Sequence, residues 1–234
     1  MSALLPSGSD GVAARRGPVA DTESLTCGKP LLRGWIHAFA APVALTAGAV
    51  LAWQASAAHA AVAVFAASAV LLFTTSAVYH LGTWSPHVWR TLHRIDHANI
   101  FIFIAGTYTP IAVLALHGVA RLAILLGVWT AAILGAALNV AWVGLPRWVG
   151  VPLYVGLGWA AAFVLPQLLH GAGGAALSLV VAGGVLYTLG GLAYALRKPD
   201  PWPRVFGFHE LFHACTVAAF ACQYAAISLI AYRA

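Results

Sequence analysis

The sequence predicts an all-α membrane protein, a seven-transmembrane helix bundle with its N-terminus inside and its C-terminus outside. Three observations carry this. Hydrophobic residues fill 62% of the chain and charged residues only 8%, whereas about a quarter of a soluble domain is charged. The apolar residues form seven runs close to the roughly 20 residues that a helix needs to cross the hydrocarbon core. The basic residues collect on one side of those runs.

Residues 1–28 are rich in Ser, Gly, Asp and Arg without periodicity, which predicts a disordered cytoplasmic leader. They do not read as a secretory signal, because apolar sequence begins only near Trp35. Residues 29–234 form the seven-helix transmembrane domain. Its first span covers about 35–54 and its second about 60–80, ending at Tyr79-His80-Leu81-Gly82. A loop with Pro86 and Arg90 leads to the third, about 94–116. The fourth covers about 121–143 and stops before Gly144-Leu145-Pro146-Arg147. The fifth runs about 149–169, the sixth about 174–196, and the seventh about 207–232, after Arg197-Lys198-Pro199-Asp200-Pro201. Pro110 and Pro166 fall inside spans, where neighbouring helices can resatisfy the backbone. Gly183-Gly184 and Gly190-Gly191 suit close helix contact.

Of the 12 Lys and Arg residues, ten lie on the leader side of the spans and two, Arg121 and Arg233, on the other. That bias orients the chain. The basic residues stand singly between apolar runs, so the excess over the 6 acidic residues sets topology and excludes a nucleic-acid partner. Cys215 and Cys222, two turns apart on one helix, are too distant to bridge, and no cysteine-based metal motif occurs.

Histidine carries the chemistry. His37, His59, His87, His117 and His170 fall at helix ends or in loops and read as interfacial or solvated. His80 ends the second span on the cytoplasmic side, and His209 and His213 open the seventh on that same side. Asp96 lies at a similar depth in the third span. His209 and His213 are i and i+4 and so share a helix face, about 6 Å apart along the axis. With His80 they offer three nitrogens and leave a fourth position open, the pattern of catalytic zinc. Asp96 could coordinate directly or act as base toward a metal-activated water. Ser76, one turn before His80, shares its face.

Two other readings compete. His209-Glu210-Leu211-Phe212-His213 is a literal H-E-x-x-H, the zinc-protease helix motif, but no further ligand follows on that helix. His93 and His97 are also i and i+4, yet Arg94 stands between them and a third ligand is missing.

Several segments together resemble the hemolysin III proteins: Ser76-Ala77-Val78-Tyr79-His80, Leu92-His93-Arg94-Ile95-Asp96-His97, Gly106-Thr107-Tyr108-Thr109-Pro110 and Gly207-Phe208-His209-Glu210-Leu211-Phe212-His213. Lys29 to His37 and Gly190 to Pro199 extend the likeness, which covers about residues 29–232. That family is grouped with the progestin and adipoQ receptors and, more distantly, the alkaline ceramidases. The resemblance implies a multi-pass protein of the bacterial inner (plasma) membrane, with zinc on His80, His209 and His213. It also implies Asp96 and Ser76 beside the zinc-bound water. The expected function is hydrolysis of a ceramide-like lipid amide drawn from membrane lipids into an intramembrane cavity, or a role in membrane homeostasis. The alternatives are a non-enzymatic sensor with structural zinc and a pore-forming cytolysin.

Overall fold

Backbone in hydrocarbon must satisfy its own hydrogen bonds, and this chain does so with helices. The computed structural model describes residues 29–55, 58–142 and 144–233. The expected disordered leader and Cys27 lie outside them. Seven helices are long and apolar enough to cross a membrane: α1 Trp35–Gln54, α2 His59–Leu81, α3 Pro86–Ala115, α4 Gly118–Ala141, α5 Arg147–Ala172, α6 Gly174–Leu196 and α7 Phe208–Ala231. Their mean hydropathies are 1.6 to 2.1. The chain is a multi-pass membrane protein.

Two elements differ from their sequence-based expectation. Helix α3 begins at Pro86, eight residues before the expected start. Pro is well suited to the first helical position, where its missing N–H is not needed, so the polar stretch read as loop is already helix. Helix α5 spans its expected range but is interrupted: α-helix over Arg147–Gly158, a 3-10 segment over Trp159–Val164, then α-helix over Leu165–Ala172. The hydroxyl of Tyr108 on α3 donates to the Gly158 carbonyl at 2.7 Å and accepts from the Ala161 N–H at 2.7 Å. One side chain thus satisfies backbone groups that the interruption strands in an apolar medium.

Helices adjacent in sequence pack together, and α7 returns against α1 to close the bundle. Helix α3 is the most enclosed and touches α2, α4, α5 and α7. Small residues permit these approaches. A Cβ at Gly190 would lie 2.8 Å from Cys215 Cβ, so α6 and α7 meet backbone to backbone there. Phe65, Phe73, Phe103 and Phe220 form an aromatic layer with ring centroids 5.3 to 6.3 Å apart. Above that layer, toward the end of the bundle that carries Arg33, Arg147 and Arg204, the apolar packing gives way to histidine.

Candidate metal centre

The start of α7 is fixed by carboxylates. Gly207 N donates to Glu210 Oε2 at 2.8 Å and Phe208 N donates to Asp200 Oδ1 at 3.0 Å. Acids at a helix N-terminus satisfy its free N–H groups and suit its dipole. Glu210 also receives Arg33 in an ion pair and is 1% exposed. Arg33 belongs to a strap, residues 29–34, that leads into α1. Leu31 N donates to Arg204 O at 3.0 Å and Leu32 N to Val205 O at 3.2 Å, which binds the strap to the turn before α7. Gly34 has φ +86, and a Cβ there would lie 2.9 Å from His80 Cβ. Only glycine takes that conformation at low cost while passing so close.

Beneath the strap, His80 from the last turn of α2 meets His209 and His213 from the first two turns of α7. All three are buried. His80 Nε2 and His209 Nε2 are 3.3 Å apart. One ligand nitrogen from each of the three lies within 4.8 Å of the others. The rings are inclined to one another by 59 to 82°, so the nitrogens converge while the rings diverge. Among the described residues this is the single group of three or more such side chains that could hold a metal ion.

Three imidazole donors suit a transition-metal ion, zinc among them. At Zn–N distances of about 2.0–2.1 Å, tetrahedral ligands stand roughly 3.3 Å apart, which is the separation of His80 Nε2 and His209 Nε2.

Asp96 and Ser76, the two expected catalytic residues, are buried on α3 and α2. The Ser76 hydroxyl lies close to the Asp96 carboxyl. Both line the same cavity as His209 and His213, but Asp96 is not part of the three-histidine group. The cavity holds about 130 Å³ and lies between α2, α3, α5, α6 and α7. Apart from its histidine end its walls are largely apolar, with Ile100, Ile104, Val155 and Val180 among them.

The competing pair behaves differently. His93 and His97 stack at 4.2 Å, and His97 Nδ1 donates to the His93 carbonyl at 2.9 Å. That nitrogen is committed to the backbone. Of the histidines read as interfacial or solvated, His59, His87, His117 and His170 are exposed. His37 corrects that reading. It is 2% exposed and stacks face to face on His213, with centroids 3.9 Å apart and planes 5° from parallel. Its spacing held the signal: His37 is i+4 from Arg33, whose side chain reaches α7.

The profile of the family described as "Haemolysin-III related" matches residues 25–224. This chain belongs to that family. It is similar to "Hemolysin-3 homolog" of Bacillus subtilis (strain 168), 28% identical over 133 residues, 57% of this chain and 60% of that protein. It is also similar to "Hemolysin-3" of Bacillus cereus, 30% identical over 113 residues, 48% of this chain and 52% of that protein. The matched stretches thus span little more than half the length of these relatives. In this haemolysin-III related protein four of the five expected site residues, Ser76, Asp96, His209 and His213, line one cavity, and His80 joins them through the three-histidine group.

Proposed function

We propose that this protein is an intramembrane zinc hydrolase of lipid amides, in the inner membrane of a bacterium, with its N-terminus and metal centre on the cytoplasmic side. One observation carries the reading: two histidines of a buried three-histidine cluster line a cavity whose other walls are largely apolar. A cluster that served stability alone would need no such space. Membrane lipids are the partners this cavity suits, and nothing in the chain suits a nucleic acid.

His80, His209 and His213 would hold the ion, which supplies a Lewis acid for the carbonyl and lowers the pKa of water toward 7. Asp96, which lines the same cavity, would act as general base, with the Ser76 hydroxyl beside it. The Ser76 O–H could turn to the developing oxyanion once Asp96 has taken its proton. The aliphatic walls take the acyl chain and keep bulk water from the carbonyl.

The test is fatty-acid release from ceramide and other bilayer-soluble amides by purified, zinc-loaded protein. Release that falls at least a hundredfold in Asp96→Ala, with zinc content and fold retained, supports the reading. No release from any amide or ester at full zinc occupancy would sink it.

A second reading treats zinc as structural in a non-enzymatic membrane sensor or regulator. The strap, the Arg33–Glu210 ion pair and the cluster together join α1, α2 and α7, which favours it. Under that reading Asp96→Ala leaves the phenotype of a deletion strain fully complemented. The relatives' name raises a third, a cytolytic pore. Zinc-dependent dye leakage from liposomes would support a pore, and the hydrolase reading expects none.

A further inference from the structure

The cavity has polar chemistry that hydrolysis at the histidine end does not use. Gln223 on α7 is 5% exposed, and its Nε2 donates to the Val180 carbonyl at 3.2 Å. Its Oε1 is buried without a hydrogen-bond partner, and so is the hydroxyl of Tyr187 on α6. Both residues line the cavity. They also converge. A Cβ at Gly183 would lie 2.6 Å from Gln223 Nε2, and Tyr187 is one turn from Gly183 on the same face of α6. Helical side chains lean toward their own N-terminus. Because α6 and α7 are antiparallel, Tyr187 and Gln223 lean toward each other. The Tyr187 ring is held 6.3 Å from Phe103, which is 6.3 Å from Phe220, one turn before Gln223.

An orphan acceptor and an orphan hydroxyl inside an apolar cavity each cost free energy unless a ligand supplies the missing bond. Along α7, Gln223 lies ten residues beyond His213, on the order of 15 Å deeper. We propose that Tyr187 and Gln223 form a specificity subsite for a hydroxyl partway along a lipid chain whose head group lies at the histidine cluster. The ligand class is a long acyl chain oxygenated near its middle. The lipid hydroxyl donates to Gln223 Oε1 and accepts from the Tyr187 O–H. This rests on the cavity being a lipid site, as the proposed function holds, but not on hydrolysis.

The test is binding, measured without turnover. Zinc-loaded protein in phosphatidylcholine nanodiscs is titrated with a mid-chain hydroxylated octadecanoic acid and with octadecanoic acid itself, each competing against a fluorescent fatty acid. The expected result is about tenfold tighter binding of the hydroxylated chain. Tyr187→Phe removes a hydroxyl that has no protein partner, so folding should be unchanged while the preference falls to threefold or less. Gln223→Leu should abolish the preference. If its folding suffers through the lost bond to Val180, Tyr187→Phe decides alone. Equal affinity of both acids for the wild type overturns the subsite, as does a preference that Tyr187→Phe leaves intact. If neither acid binds, the lipid cavity itself is refuted. Binding with preference but no amide hydrolysis refutes only the enzymatic reading.

Discussion

Glu210 occupies the second position of an H-E-x-x-H sequence, yet its oxygens are engaged elsewhere. One accepts the Gly207 N–H and the other the Arg33 guanidinium, and Glu210 does not line the cavity. A general base needs reach to a reacting proton, and this carboxylate has none. It positions His209 and His213 by fixing the first turn of their helix and tying it to the strap. Glu210→Ala strands Arg33 and the Gly207 N–H and should cost about 3 kcal/mol. Thermal unfolding in detergent would read this, and zinc content should fall with it. Glu210→Gln keeps an acceptor for Gly207 and should cost less. A fully stable Glu210→Ala protein that retains its zinc would contradict the positioning role. Spacing found His209 and His213, membrane depth added His80 and Asp96, and Ser76 followed from standing one turn before His80. His37 escaped because its depth matched the interface, while the ring that buries it belongs to the opposite end of the sequence.

At the scale of elements, the interrupted α5 forms one wall of the cavity, with Val151, Val155 and Trp159 facing in. A continuous helix would present a different set of side chains there. Tyr108 holds the interruption through two backbone bonds, and Trp159 Nε1 donates to Thr188 Oγ1 at 3.0 Å. Tyr108→Phe leaves a carbonyl and an N–H unmet, at a cost of roughly 1–3 kcal/mol. Amide exchange over residues 159–164 should accelerate while that of α7 stays slow, a pattern that hydrogen-exchange mass spectrometry resolves. Uniform acceleration through the bundle would mean that Tyr108 serves the core and not the break. The seven spans were legible because hydropathy is local. The break was not, since it depends on a hydroxyl about fifty residues earlier in the chain. The early start of α3 was hidden for another reason: Pro86 and Arg90 suit a helix end that projects beyond the apolar layer as well as they suit a loop.

At the scale of the molecule, the cluster bridges the end of α2 and the start of α7, and those two elements are the second and last of the bundle. Their union joins residues 129 apart in sequence, so metal binding should be folding free energy here. A ligand that binds only the native state stabilises by about 4 kcal/mol at a thousandfold excess over its Kd. Chelation by a strong zinc chelator should therefore lower the thermal midpoint by several degrees. His80→Ala should be insensitive to the chelator because its site is already broken. Asp96→Ala should respond like wild type, since Asp96 stands outside the three-histidine group. Elemental analysis should give one zinc per chain in wild type and Asp96→Ala, and little in His80→Ala. Equal chelator sensitivity in wild type and His80→Ala would place any metal elsewhere. Loss of zinc in Asp96→Ala would make that carboxylate a ligand instead of a base. The same variant series thus separates a cluster that builds the bundle from a carboxylate that acts within it.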